Sequence, residues 1–303
     1  MVTISVITPT RDRGAFIEAA VDSVMAQGVG AHEHIVIDGL SGDDTLARLA
    51  RYPHLQVVSE PDQGLYDAIN KGIKRARGDV ICLLNSDDRL LPDAFKAVSD
   101  AFDRDPAADA VCGRIRIGDV GAGAGEGGIE IGSLAMQRLR AGDVISGLPI
   151  TNGRFIRRAA FDRTGLFDQS FPVLADRDFL GRFWLAGLRT VPVDCAVYRY
   201  GAHQESLSFG AATGQLAYNI EAIRLAQTRL AQSKTDAERA FYRRWSGWAI
   251  GYALARGFKS GAFSEAAVAS KVARSKLPRW PAEFAAQAIW HLSTRAERRG
   301  RPA

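Results

Sequence analysis

The apolar run Asp79-Val-Ile-Cys-Leu-Leu84 ends directly in Asn85-Ser86-Asp87-Asp88. Two adjacent carboxylates at the mouth of a buried strand are costly unless something pairs with them. A hard divalent cation, Mg2+ or Mn2+, shared with a diphosphate is one such partner, because it takes oxygen ligands and offsets charge on a phosphate leaving group. An Asx turn or N-cap before a helix starting near Pro92 would use the same residues, with Asp88 sufficient alone, and the residues leave both readings open. A second acidic pair, Asp176 and Asp178, precedes the apolar segment Phe179-Leu-Gly-Arg-Phe-Trp184. On a helix, residues two apart point about 200° from one another, so only one of the pair can face a given site. Asp178 is suited to capping that helix or to pairing with Arg182 at i+4. His203, after a strand-like run at 189–199, stands where a metal or phosphate ligand could sit, although a surface turn histidine is the commoner use; Ser206 and Ser208 follow it in the same loop.

These groups need a scaffold, and the sequence supplies one. Short β-rich runs at 3–7, 34–38, 55–59 and 79–84 alternate with segments of helical apolar spacing, the pattern of a β-α-β-α unit with a mostly parallel sheet. The clearest helix is 65–77, where Leu65, Ala68, Ile69, Gly72, Ile73 and Ala76 fall on one face while Asp67, Asn70, Lys71 and Lys74 fall on the other. Open α/β sheets bind ligands beyond the carboxyl ends of their strands, which singles out Thr8, Asp38, Glu60 and Asn85 to Asp88. Residues 118–129 contain a G-x-G-x-x-G at Gly123, Gly125 and Gly128, but no helical pattern follows, so a flexible loop is expected instead. After about residue 210 the pattern turns helical, rich in Ala, Arg and Trp.

Composition narrows the function class. A chain of 303 residues, 47% hydrophobic and 24% charged, is expected to fold as a globular enzyme with a smaller appendage. Cys82, Cys112 and Cys195 lack the spacing of a disulfide framework or a zinc site, which fits a reducing cytoplasm. Neither a signal peptide nor a spanning helix is expected, since the first strand-like run already reaches Arg11 and Asp12 and no apolar run is long enough. The net charge is +5, yet residues 271–303 hold eight Lys/Arg against Glu283 and Glu297, a local +6 that leaves residues 1–270 at −1. A nucleic-acid enzyme would spread basic charge along its groove, so no nucleic-acid partner is expected. Trp245, Trp248, Ile250, Tyr252 and Leu254, with Phe284, Ile289, Trp290 and Leu292, add apolar surface near that basic end. Two readings stay open for the tail: peripheral attachment to an anionic membrane surface, at the inner face of the cytoplasmic membrane, or helix packing on the catalytic part or a second copy.

Taken together, Val6-Ile-Thr-Pro-Thr10, Ile37-Asp-Gly-Leu-Ser-Gly-Asp-Asp-Thr45, Ser59-Glu-Pro-Asp-Gln-Gly-Leu-Tyr-Asp-Ala-Ile-Asn-Lys-Gly72 and Leu84-Asn-Ser-Asp-Asp88 resemble family 2 glycosyltransferases of bacterial polysaccharide type in order and spacing. Gly165-Leu-Phe-Asp168 and Ala175-Asp-Arg-Asp-Phe179 continue the resemblance, which covers about residues 1–208. It implies a GT-A fold, a Rossmann-like, mostly parallel sheet with helices on both faces, in a catalytic domain at 1–212. The donor half would lie at about 1–117 and the acceptor half at about 128–212, with a helical extension at 213–303. It also implies inverting transfer of one sugar from a nucleotide diphosphate donor, usually a UDP-sugar, to a hydroxyl of a glycan or lipid-linked acceptor. By the same resemblance Thr8 and Pro9 line the base pocket and Asp38 accepts from the base, although Asp38 could instead cap the next turn through Ser41. Asp62, Asn70 and Ser86 fall near the ribose and diphosphate. Asp87 is the principal ligand of Mn2+ or Mg2+, with Asn85 and Asp88 assisting, and Asp176 is the base that takes the acceptor proton. For Asp67 and Lys71 an i, i+4 ion pair is the preferred reading.

The chain departs from the family pattern in places. Asn85 stands for the usual first acid of the D-x-D, Ile69 for a common Arg, and Ala175 for the Glu of a Glu-Asp pair. Phe241-Tyr-Arg-Arg-Trp245 keeps the Arg-Trp of processive synthases but lacks their Gln, which points to transfer of a single sugar. Two other readings remain: a catalytically silent nucleotide-binding module, which Asn85 and Ala175 keep open, and a sugar nucleotidyltransferase, disfavoured because Thr8-Pro-Thr-Arg-Asp-Arg-Gly14 is not a glycine-rich phosphate loop. Oligomeric state is not legible.

Overall fold

The computed structural model describes residues 1–27, 33–119, 129–131, 138–147, 149, 151–202, 213–260, 267, 269–273, 277 and 279–294. The first half alternates strictly: β1 (Ile4–Thr10), α1 (Gly14–Met25), β2 (Glu33–Asp38), α2 (Thr45–Leu49), β3 (Leu55–Ser59), α3 (Leu65–Arg75) and β4 (Val80–Leu83). Short β5 (Arg89–Leu90) and α4 (Ala94–Arg104) lead to β6 (Ala110–Asp119), β7 (Ile129–Ile131), α5 (Ala141–Ser146), β8 (Arg154–Arg157), α6 (Arg158–Thr164), α7 (Ala175–Leu185) and β9 (Thr190–Ala202). Among the described residues α8 (Thr213–Gln232), α9 (Asp236–Ser260) and α10 (Trp280–Ser293) follow, with further helical residues at 267 and 269–273.

All the strands join one sheet in the order β3-β2-β1-β4-β8-β6-β9-β5, with β7 also on β6. The parallel character expected from sequence belongs to β3-β2-β1-β4 and recurs at β6/β9, while β8 is antiparallel to both β4 and β6. The chain moves outward from β1 to β3 and then returns to place β4 on the other side of β1. This reversal opens a crevice at the carboxyl ends of β1 and β4, where open α/β sheets hold ligands. Alternation along each strand sorts the core into two layers. Ile7, Ile35, Ile37 and Ile81 face α3, α7 and the C-terminal helices, whereas Val6, Val80 and Cys82 face α1 and α4. Helix α3 comes close to the sheet at Gly72, where a Cβ would lie 2.3 Å from Ile7 Cγ2. Its neighbour Ile69, in place of the common Arg, is buried in this core.

The C-terminal helices share the first of these apolar layers. Trp245 and Ile250 of α9 are buried in it, and Gly181 of α7 lies against Phe241 and Trp245. Part of the apolar run expected near the tail therefore packs on protein. The tie is also ionic. Asp178 of α7, 0% exposed, accepts from Arg182 Nε at 2.8 Å and from Arg229 Nε and Nη2 of α8 at 2.7 and 2.8 Å. Arg229 also reaches Asp168 at 2.7 Å. Burial of a carboxylate is tolerated here because two guanidiniums satisfy it. The i+4 partner expected for Asp178 is thus present, joined by an arginine 51 residues away. Replacing Asp178 with Asn leaves two clustered guanidiniums without their counter-charge. Since both arginines keep some solvent contact, the expected loss is near the lower end of that for broken buried pairs, about 3 kcal/mol. Chemical denaturation of Asp178→Asn checks this.

Candidate active site

Strand register sets the row of residues at the crevice. β1 pairs with β2 so that Thr10 lies opposite Asp38, and β2 pairs with β3 so that Asp38 lies opposite Ser59. On the other side of β1, Leu84 donates its backbone N–H to Ile7 O at 3.0 Å, which brings Asn85 beside Thr8 and Pro9. Residues far apart in sequence therefore meet along one sheet edge.

Asp38 is fully buried, and its carboxylate accepts from the Ser41 backbone N–H, the Ser41 hydroxyl and, at 2.6 Å, the Ser59 hydroxyl. Its contacts in this structure are those of the turn-capping alternative. Leu40, within that turn, has φ +58°, a left-handed conformation unusual for a residue with a branched side chain. The loop lies against the next one, since a Cβ at Gly39 would meet Asp62 Oδ2 at 2.3 Å. Asp62 accepts the Gly64 N–H through its other oxygen at 2.9 Å. Thr8 is buried with its hydroxyl 2.9 Å from His34 Nε2, and Pro9 is buried beside it. Burial lowers the His34 pKa to about 3, so this imidazole is neutral. The Thr10 hydroxyl is buried with no hydrogen-bond partner, a group that a ligand could satisfy.

Asp88 is the hub beyond β4. It accepts from Tyr198 Oη at 2.6 Å, Gly201 N at 2.8 Å, Asn85 Nδ2 at 3.0 Å and Asn152 Nδ2 at 3.3 Å. Desolvation, with the charge of Asp87 next to it, pushes its pKa up to about 7 despite these donors. Both Asp88 oxygens, expected to assist a metal, are engaged by protein donors. The same network gives a reason for Asn85: its amide donates to Asp88, whereas an acid there would set a second carboxylate against a buried one. The Asn85 backbone N–H also donates to Tyr198 Oη at 3.2 Å. Asp87 is left half-buried at the crevice, and Ser86 is buried beside it. Among the described residues no group of three or more His, Cys, Asp or Glu could enclose a metal. The single carboxylate of Asp87 would instead suit a Mg2+ or Mn2+ site completed by phosphate oxygens and water.

Asp176 begins α7 and keeps part of its surface open to solvent. Burial of its carboxyl raises its pKa above the ordinary value, opposed by the Arg177 N–H, which donates at 2.6 Å, by the Arg177 charge and by the Tyr66 hydroxyl. A partly desolvated carboxylate of raised basicity suits proton abstraction. The Tyr66 hydroxyl, near the start of α3, lies beside Asp176, and its ring stacks on Phe167 with centroids 5.5 Å apart. Asn70 is buried and clamps the same segment: its Nδ2 donates to Phe167 O at 2.8 Å and its Oδ1 accepts the Phe167 N–H at 3.0 Å. Asn70, expected near the ribose and diphosphate, has its amide engaged in joining α3 to the approach to α7. Asp67 pairs with Lys71 at 3.1 Å, as the i, i+4 reading expected. Arg177 lines a small cleft with Tyr218, Trp248 and Tyr252 just behind Asp176. His203, Ser206, Ser208 and the glycines 123, 125 and 128 lie outside the described residues.

Tyr66, Tyr198 and Asn152 had no role in the sequence reading. Tyr66 sits inside a quoted motif, at a helix start, and could have been suspected; Tyr198 and Asn152 carry no local signal.

Comparison with known proteins agrees with this layout. The model of the family described as Glycosyl transferase family 2 matches residues 5–165. An uncharacterised glycosyltransferase of Mycobacterium tuberculosis is 32% identical over 235 residues, covering 69% of this chain and 80% of that protein. A PGL/p-HBAD biosynthesis glycosyltransferase of Mycobacterium bovis is 29% identical over 181 residues, covering 58% and 67%. Among solved structures, residues 1–349 of Staphylococcus aureus TarS in complex with UDP-GlcNAc superpose with TM-score 0.68 at 17% identity, covering 99% of this chain and 92% of that one. A mannosyltransferase of Pyrobaculum calidifontis, in complex with GDP-Man and Mn2+, gives 0.56 at 18% identity, covering 98% and 87%. The fold is of the GT-A type.

The hub makes one expectation specific. Asn85→Asp restores the common acid but places it against Asp88, so at neutral pH it should cost about 1–3 kcal/mol, the price of an unsatisfied buried polar contact. Thermal melting at pH 7 measures this, and an unchanged midpoint would argue against the network.

Proposed function

The chain belongs to Glycosyl transferase family 2, and from that membership we propose that it transfers a single sugar from a UDP-sugar to an acceptor hydroxyl with inversion at the anomeric carbon. The observation that carries this reading is a half-buried Asp87 beside the buried Asp88 hub directly after β4, in a chain whose Asp176 has its basicity raised by burial. We assign residues 1–212 to catalysis and 213–303 to a C-terminal helical part.

Asp38 and Thr10 bind the donor base, with Thr8 and Pro9 forming the wall. Asp38 exchanges a serine contact for the base, and the Thr10 hydroxyl gains the partner it lacks. Asp62 and Ser86 face the ribose and diphosphate, and Asn70 holds the segment that leads to the base. Asp87, with Asn85 two residues before it, would hold Mn2+ or Mg2+, whose charge would offset that of the leaving diphosphate. Asp88 keeps Asp87 in place rather than serving as a direct ligand. Asp176 takes the acceptor hydroxyl proton as that oxygen attacks the anomeric carbon and the diphosphate departs from the opposite face. Tyr66 fixes the orientation of Asp176. The acceptor is a glycan or a lipid-linked acceptor at the cytoplasmic side of a membrane, a reading supported by the relative named as a PGL/p-HBAD biosynthesis glycosyltransferase.

Two variants test these roles. Asp176→Asn preserves shape and removes basicity, so donor affinity should stay nearly intact while turnover falls by about 10²–10⁴. Near-normal turnover of Asp176→Asn, with a folded, donor-binding Asp178→Asn inactive, would reverse the assignment. In the wild type the base must be ionised, so kcat/KM should fall as pH drops through the raised pKa of Asp176. That acid limb should lie above the ordinary aspartate value of about 3.9 and be absent from the residual activity of Asp176→Asn. Asp87→Ala should abolish transfer, and wild-type turnover should disappear in EDTA; undiminished turnover in EDTA would contradict the metal role.

A further inference from the structure

Helix α10 is built inside out for a helix exposed to water. Its polar residues point inward: Gln287 is 0% exposed and donates to Gly142 O at 3.2 Å and Ser146 Oγ at 2.8 Å, and His291 Nδ1 lies 3.0 Å from the same serine hydroxyl. Phe284 and His291 stack on Trp248 at 5.4 and 5.5 Å, which fixes that face against α9. The close fit at Gly251, where a Cβ would lie 2.2 Å from Phe284, leaves no freedom to rotate the helix about its axis. The opposite face carries Ala282, Ala285, Ala286, Ile289 and Leu292, all exposed, with Ile289 at 69% and Leu292 at 65%. These positions recur at three- and four-residue steps, so they form one stripe, and no charged residue interrupts it. A surface helix normally turns its polar face to water; here the outward face is apolar and the inward one holds the amide and the imidazole.

The sequence on both sides of this stripe is basic. Lys271, Arg274, Lys276 and Arg279 precede α10, and Arg295, Arg298, Arg299 and Arg301 follow it, with Glu283 and Glu297 the only acids from 271 to the end. An apolar helix face bracketed by cationic residues matches the boundary between acyl chains and anionic headgroups, where the stripe loses water and the flanking charges meet lipid phosphates. No helix among the described residues is long and apolar enough to cross a membrane, so this would be a surface attachment. We propose that α10 lies in the plane of an anionic membrane surface with Ile289 and Leu292 inserted, held there by the excess of basic residues in the sequence from 271 to the end. A second copy of the chain is the competing occupant. The charge disfavours it, because a two-fold pairing of this face would bring two basic flanks together.

The experiment is flotation of the full chain with vesicles of phosphatidylglycerol and phosphatidylcholine in equal parts, beside vesicles of phosphatidylcholine alone. Sedimentation of the free protein accompanies it. The wild type should float with the anionic vesicles, bind the neutral ones much less and lose most binding in about 1 M salt, where charges are screened beyond about 3 Å. Ile289→Asp with Leu292→Asp should weaken binding by at least about ten-fold, the worth of one fully buried Ile or Leu side chain. Donor-sugar hydrolysis in solution and the melting temperature should not change, because neither side chain packs on the protein. If the acidic pair lowers the melting temperature, Ile289→Gln with Leu292→Gln replaces it in the same assay with the same expectation. The proposal is overturned if the wild type stays with the free protein, if the double variant floats as well as the wild type, or if binding is equal on neutral vesicles. It is likewise overturned if the variants turn a dimer into a monomer while leaving vesicle binding intact. Loss of flotation with transfer chemistry retained separates this inference from the catalytic reading.

Discussion

A carboxylate removed from water must find its donors inside the protein, and at the end of β4 Asp88 draws them from three separate stretches of chain. Tyr198 and Gly201 come from β9, Asn152 from the approach to β8 and Asn85 from its own turn. The bonds therefore fix where β4 stops relative to the mixed half of the sheet. They also decide which of the two adjacent acids turns inward. With Asp88 committed to the interior, its neighbour Asp87 is the acid that stays half-buried. A buried group of this kind is expensive unless every lone pair is met, and that cost makes the arrangement specific.

A comparable logic runs through the other half of the site. The start of α7 carries Asp176, and its position is set from two directions. Tyr66 and Asn70 reach it or its approach from α3, while Arg229 of α8 grips Asp178 two residues further on. The C-terminal helices are thus part of the frame that orients the proposed base, through Trp245 and Phe241 packed on Gly181 as well as through the arginine. The loop after β3 and helix α7 are coupled because Tyr66 belongs to the motif that begins at Ser59 and lies beside Asp176, the residue proposed to take the acceptor proton. The partial burial that raises the basicity of Asp176 follows from this enclosure.

Much of the parallel half was legible because its signals are local. The runs at 34–38 and 55–59 match β2 to within a residue and β3 fully, and the run at 79–84 brackets β4. Glu60 and Asn85 to Asp88 stand just past strand ends as expected, while Thr8 and Asp38 lie within the last residues of β1 and β2, which run further than their apolar cores suggested. The division of labour between Asp87 and Asp88 was not legible, since it depends on Tyr198 and Gly201, 110 and 113 residues away from Asp88. Asn70 illustrates the same limit: its face of α3 looked solvent-exposed from spacing alone, yet Phe167, 97 residues on, takes up both ends of its amide. Asn85 stands out in sequence only as a neutral residue in place of an acid, and its donation to Asp88 is a second task that spacing alone does not reveal. In the tail, helical periodicity identified apolar residues but not which side they face. Trp245 went to the core, and Ile289 and Leu292 went to the surface.

The central claim is that the crevice binds a nucleotide diphosphate through a metal held at Asp87. Thermal shift of the wild-type chain with UDP, GDP and dTDP, each with Mn2+ and with EDTA, tests it most directly, because a ligand that binds only the folded state raises the melting temperature. The account predicts stabilisation by UDP above the other nucleotides, present with Mn2+ and lost in EDTA. Stabilisation by none of the three, or by UDP equally well in EDTA, would contradict it.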